Sequence, residues 1–308
     1  MPNFWPNMSG GLKVASQIDS TLLRIEELVR RRSSTDRRMG YIWMIVPLLP
    51  ALAAVVIGAS LLGILVSILP RISSITQPQT AQNAITPIVG EIFAVYGLAI
   101  VIFYVVLLIG ALAFYYMIDR RNRHFVRQQL LFSTLHRYLA VKAPDSENVS
   151  RLGHIAEDSA CDERDRPAGV WALLTLFVTP IVGLLAAYNL TQDLHRHENL
   201  QSVYQTTLAN AFSDASIQPP TFSPYKFHRR EPFLFIILSA ITAGLFWIYW
   251  FYALLKDYND HFTDQAKFED QILNSLRPPE ATKPCVACGT SVPRNAKFCP
   301  ICGKAQTT

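Results

Sequence analysis

Four stretches of this chain, residues 41–69, 92–118, 167–192 and 232–255, contain no Asp, Glu, Lys or Arg. Each is longer than the ~20 residues a helix needs to cross the hydrocarbon core of a bilayer. None shows the polar face that a helix of a soluble core would carry. The pattern predicts four transmembrane helices, the first kinked or tilted at Pro47 and Pro50. Beyond three of the stretches the apolar positions continue at steps of four, the spacing of one helical stripe. They are Leu131, Leu135 and Leu139, then Tyr204, Leu208 and Phe212, then Phe268, Ile272 and Leu276. Three membrane helices therefore run on into amphipathic extensions, 120–139, 193–212 and 257–276.

Those three segments align without gaps from Gly110, Gly183 and Trp247. Common columns hold Tyr115, Tyr188 and Tyr252, then His124, His197 and His261, then Gln128, Gln201 and Gln265. This is the signature of one helical unit used three times. Simple alternation of four crossings, the expectation adopted, would place the second copy on the opposite side from the other two. A break at Thr179–Gly183, or its counterpart at Thr242, Ala243 and Gly244, would instead let a stretch re-enter from one side, which the bilayer tolerates where protein buries the broken backbone. With that arrangement the three extensions pack together as a platform, bringing Leu135, Leu208 and Ile272 close. The basic run Arg120, Arg121, Arg123 and Arg127 offers a rival for the first extension, flat on lipid.

Charge adds an orientation. Lys and Arg number 7 before residue 41, 1 in 70–91, 9 in 119–166, 4 in 193–231 and 7 after residue 255. Under the positive-inside rule both termini and the segment 119–166 face the cytoplasm of a multi-pass cell-membrane protein. Residues 1–40 form a polar helix and basic segment with no cleavable leader. The excess of positive charge reads as membrane topology and only weakly as a nucleic-acid signal.

The last residues carry different chemistry. Cys285-Val-Ala-Cys288 is followed after ten residues by Cys299-Pro-Ile-Cys302. Two such pairs can present four thiolates to one Zn2+ ion; two disulfides or a redox pair are the alternatives. Gly289 and Gly303 each follow a pair, where a turn aiming N–H groups at sulfur requires φ > 0. The motif, with Pro293, Ala296-Lys297-Phe298 and Pro300, resembles the short zinc-ribbon family over about 20 residues. The resemblance implies Cys285, Cys288, Cys299 and Cys302 as metal ligands, leaving Cys161 free. Such ribbons bind proteins, bind nucleic acid, or merely fold. Further upstream, Leu238-Ser239, Thr242, Gly244, Ile248–Tyr252 and Lys256-Asp257-Tyr258-Asn259 resemble an uncharacterised prokaryotic membrane family of no known activity, which implies a location and a fold unit.

Other groups are read more plainly. The aromatics between Phe246 and Tyr252 are expected to form an interfacial belt or a helix contact. The aligned histidines are expected at headgroup level, as a hydrogen-bonding cap between neighbouring extensions; ligation of haem or a metal is the alternative. His154 and Cys161, with Glu157, Asp158, Asp162 and Glu163, are expected in a solvated loop. No nucleotide-binding loop, metalloprotease motif or nucleophile elbow occurs, and no ionisable residue lies at the centre of a stretch, where ion-coupled transporters keep them.

The fold class is thus all-α and polytopic, about four transmembrane helices with cytoplasmic extensions, plus a small zinc ribbon. The units are 1–40, a membrane domain 41–276 with internal repeats, a Pro-rich linker 277–284 and the ribbon 285–303. The expected function is non-enzymatic: a membrane-anchored adaptor or regulatory scaffold docking a cytoplasmic protein. The alternative is a channel or transporter subunit with a regulatory ribbon.

Overall fold

The computed structural model describes residues 8–73, 78–177, 181–222, 229–277, 282–293 and 296–306. Thr179 and Pro180 of the expected break, and Pro278 and Pro279 of the linker, lie outside them. The chain is all-α up to residue 276. Helix α1 spans Met8–Arg30 and a short α2 spans Arg32–Thr35. A 3₁₀ segment, Tyr41–Leu48, contains Pro47 and leads into α3, Leu49–Ser73. Pro47 has no N–H to donate, so regular α-helix begins only beyond it. Helix α4 runs unbroken over Pro78–Lys142. Then follow α5 (Glu147–Asp162), α6 (Ala168–Phe177), α7 (Ile181–Asp214), α8 (Pro232–Ile241) and α9 (Leu245–Leu276). Two short antiparallel strands, β1 (Thr282–Pro284) and β2 (Ser291–Pro293), belong to the C-terminal four-cysteine unit, which was expected to be a ribbon.

Among the described residues two helices are long and apolar enough to cross a membrane, Tyr41–Pro70 and Thr86–Lys142. Their most apolar windows are 0% buried, with Val55, Leu62, Val66, Phe93 and Val101 all pointing outward. An apolar surface of that extent suits lipid, not water. The third and fourth stretches are not single helices, so the structure holds two candidate spans where four were expected. The fourth breaks at 242–244, where Ala243 and Gly244 have φ of 48° and 89°, and the Thr242 hydroxyl accepts from the Phe246 N–H at 2.9 Å to start α9. Helix α8 then lies back along α9: Phe235 meets Phe246 and Trp250 at ring separations of 5.0 and 5.6 Å. At the open end Arg230 grips Asp257, 2.9 Å at its second contact. The third stretch repeats the arrangement. Arg166, just before α6, holds Asp193 on α7 through two contacts of 2.6 and 2.7 Å. Each hairpin is closed by an Arg–carboxylate fork spanning the same 27 residues. At 10 residues, α6 and α8 are about 15 Å long, half the thickness of a hydrocarbon core.

The far halves of α4, α7 and α9 pack together. All nine stripe residues, Leu135, Leu208 and Ile272 among them, are buried in one apolar core. Helix α1 packs against α4 and α9, and α5 against α4 and α7, adding Ile25, Leu28, Leu152 and Ile155. The acidic segment around His154 is therefore a helix, not a solvated loop. Ser146 caps it, accepting from the Val149 N–H at 3.2 Å, and Val149, Leu152, Ile155, Ala156 and Ser159 form its buried stripe. The acids masked that 3.6-residue period. His154 and Cys161 point outward. The basic run divides: Arg120, Arg121 and Arg127 are buried, while Arg123 is exposed and pairs with Asp119 at 2.9 Å.

A second apolar core lies nearer the membrane half, with Phe114, Met117, Leu190, Trp250, Phe251 and Leu254. The aromatics of α9 thus divide. Trp250 and Phe251 are fully buried, with the indole N–H donating to Thr191 Oγ1 at 3.1 Å, while Tyr249 stays half exposed.

The all-apolar core of the platform predicts a steep response to truncation. Leu208→Ala should lower stability by about 2–5 kcal/mol. Val203→Ala, on the exposed side of the same helix, should stay within about 0.5 kcal/mol. Denaturant titration of the detergent-solubilised protein, followed by helical circular dichroism, measures both.

Candidate metal centres

The ribbon assembles its four cysteines from two equivalent turns. In each, the glycine N–H bonds back to the first cysteine's carbonyl: Gly289 to Cys285 at 3.0 Å and Gly303 to Cys299 at 2.9 Å. Both glycines have positive φ, 73° and 70°, a conformation costly for any residue with a Cβ. The first cysteine of each pair donates its N–H onward, Cys285 to Thr290 and Cys299 to Lys304, both at 2.8 Å. Sγ of Cys285 lies 3.7 Å from that of Cys302, and Sγ of Cys288 lies 3.8 Å from that of Cys299. Disulfide sulfurs sit about 2.05 Å apart, so neither pair is bonded. A tetrahedron of thiolates at about 2.3 Å from a central ion has edges of about 3.8 Å. Backbone N–H groups of Ala287 and Cys288 bring the Cys285 thiol down to about 6, while, against the Lys304 N–H, the neighbouring cysteine thiols push Cys302 up to about 11. The group could hold a metal ion, and the sequence had brought these four residues together.

A second cluster lies where the two apolar cores of the helical bundle meet. His124 on α4, His197 on α7 and His261 on α9 are each at most 1% exposed, and turn Nε2 inward. His124 Nε2 lies 3.3 Å from that of His197 and 3.1 Å from that of His261. Their Nδ1 atoms face outward to three carboxylates: Asp36 Oδ1 at 3.1 Å from His124, Glu163 Oε1 at 2.6 Å from His197, and Glu198 Oε1 at 3.7 Å from His261. Burial alone would raise the Glu163 carboxyl, but His197 and the Ser159 hydroxyl hold it down to about 2. Asp36 is held low against burial by His124 and Arg127. The histidines meet one another in the interior, as the expected hydrogen-bonding link between neighbouring extensions.

One turn further along the helices the three glutamines form a second tier. Gln201 donates to Gln265, which donates to Glu269 at 3.0 Å. Arg127 bridges Asp36 and Glu269 at 2.7 and 2.8 Å. Arg121 reaches Asp193 at 3.1 Å and lies over the Phe125 ring at 4.2 Å, and Arg120 donates to Asn259 at 2.9 Å.

Sequence alignment found the histidines and glutamines but none of their carboxylates. Asp36 comes from the end of α2, Glu163 from the end of α5 and Glu198 from α7 itself. They share no column of the alignment, so no periodicity marked them. Comparison with protein-family models, with curated proteins and with solved structures finds no match to this chain.

Among its described residues the C-terminal unit buries Val292 and two of its cysteines as a core, too little to fold without a staple. A Cys285→Ser, Cys302→Ser variant should lose one metal equivalent per chain and become sensitive to protease between residues 282 and 306. Metal analysis with limited proteolysis checks this; undiminished metal content would contradict the assignment.

Proposed function

We propose that the protein is a membrane-anchored adaptor whose C-terminal zinc ribbon docks a cytoplasmic protein. The observation that carries this reading is the ribbon's surface. Val286, Phe298 and Ile301 are 64%, 64% and 72% exposed, around a four-cysteine cluster that zinc would close on all four sides. A closed ion performs no chemistry on a substrate, and open apolar side chains on so small a unit suit protein contact. Two spans anchor the chain, and the α6–α7 and α8–α9 hairpins re-enter from the cytoplasmic side, three uses of one helical unit. That arrangement supports a common side for all three extensions, with both termini and the ribbon in the cytoplasm. It agrees with the exposed Arg37 and Arg38 just before the first span. A second reading, a transporter subunit for an apolar substrate, rests on a 660 Å³ cavity lined by Val46, Leu107, Phe114, Trp247 and Phe251. No charged residue lines it, so it suits no ion pathway.

Labelling of single cysteines in a cysteine-free background tests the topology. Asn199→Cys, exposed on α7, should resist a membrane-impermeant reagent in intact cells and react after permeabilisation. Reaction in intact cells would make the third stretch a full crossing. Docking is tested on the full chain with Val286→Ser, Phe298→Ser and Ile301→Ser combined. The variant should keep its zinc and lose a protein that crosslinks to the wild-type ribbon in cells; an unchanged crosslinking pattern would defeat the adaptor reading.

A further inference from the structure

We propose that His124, His197 and His261 form a second metal site, a buried centre for a divalent ion of the zinc class that pins the three extensions together. Three independent observations converge on it. The first is tautomeric. His197 Nδ1 hydrogen-bonds Glu163 at 2.6 Å, and the Nδ1 atoms of His124 and His261 lie on the side of Asp36 at 3.1 Å and Glu198 at 3.7 Å; a neutral imidazole whose Nδ1 carries the proton presents a lone pair at Nε2. Three lone pairs then converge within a space closed to solvent, and a cation is what they can share. Metal-bound histidines have this carboxylate behind the ring. The second is distance. Ligand nitrogens about 2.0–2.1 Å from a tetrahedral zinc lie about 3.3 Å apart, against 3.3 and 3.1 Å here. The third is charge. Asp36, Glu163 and Glu198 gather round the rings, and among the described residues only Asp36 has an arginine partner, Arg127. A buried anionic shell is costly unless compensated, and a dication compensates it.

Three histidines leave one tetrahedral position. One turn on, Gln128 and Gln201 carry buried amide oxygens with no partner, and a metal-bound water would give them a donor. The three rings are at most 1% exposed, and α4, α7 and α9 contribute one ligand each, so the ion's role is to fix these helices together. This centre is separate from the ribbon and does not depend on the adaptor reading.

The test uses the full-length chain carrying Cys285→Ser and Cys302→Ser, which removes the ribbon's ligands. This protein should still hold one zinc per chain. Cobalt(II) in its place should give the visible bands of a tetrahedral nitrogen and oxygen site without the near-ultraviolet thiolate transition. Adding His197→Ala should abolish the binding. Should that variant fail to fold, Glu163→Gln keeps the shape of the core while weakening the ring's partner, and should lower zinc affinity about 10–100-fold in competition with a chelator. A folded ribbon-ligand variant that takes up neither ion would overturn the proposal, as would a cobalt spectrum of thiolate type or a zinc affinity that Glu163→Gln leaves unchanged.

Discussion

A layer of charge in the interior, between two apolar cores, constrains the rest of this fold. Nearer the membrane α4, α7 and α9 meet through Phe114, Leu190 and Leu254; farther out they meet through Leu135, Leu208 and Ile272. Between lie three histidines, three glutamines, five acids and the arginines 120, 121 and 127. Burying such groups unpaired costs several kcal/mol each, so they tolerate few arrangements. Arg127 needs both Asp36 and Glu269, which ties the segment before the first span to the last helix. Glu163 needs His197 and Ser159, which ties the end of α5 to α7. The apolar stripes supply the drive to associate, and the polar layer supplies the register, because sliding one helix by a turn would set a histidine against leucines.

The same layer accounts for the hairpins. Three extensions can share one core only if they emerge on one side, and alternating crossings cannot deliver that. Splitting a stretch into a 10-residue helix and a long one returns the chain to its starting side. The forks Arg166–Asp193 and Arg230–Asp257 sit where each hairpin opens, beside the polar layer, where a charged pair meets less apolar surroundings than at the hairpin tip. Gly244 and Ala243 take the left-handed backbone at the tip.

Much of this was legible in the sequence, and the omissions have physical reasons. The stripe of nine residues, the columns of Tyr, His and Gln, and the spacing of the four cysteines all express a period, which one sequence displays. The two candidate spans were legible because length and apolarity suffice to mark them. The hairpins were legible only as an alternative: Thr242, Ala243 and Gly244 marked a possible break, but a re-entrant stretch and a crossing one have the same composition, and the backbone at 242–244 separates them. Helix α5 was hidden because its exposed face is dense with acids, which outweighed the stripe Val149, Leu152, Ile155 and Ala156. The arginines of α4 left a lipid-facing rival open because the partners of Arg120, Arg121 and Arg127, namely Asn259, Asp193, Asp36 and Glu269, are scattered over the chain and follow no local pattern.

The two clusters of ligating residues also differ in what surrounds them, and that difference separates their roles. The ribbon's sulfurs are held by backbone turns within about 20 residues, and the apolar side chains around them face outward. Whatever that unit does, it does at its surface, and its attachment through a Pro-containing segment suits a part that reaches for something else. The histidines come from three helices up to 137 residues apart, and each is at most 1% exposed. A group so placed can act only on the protein that holds it. Its chemistry is therefore that of a fastener: it converts the correct packing of three distant segments into one local set of bonds, strong when all three ligands are in place and weak when any one is missing.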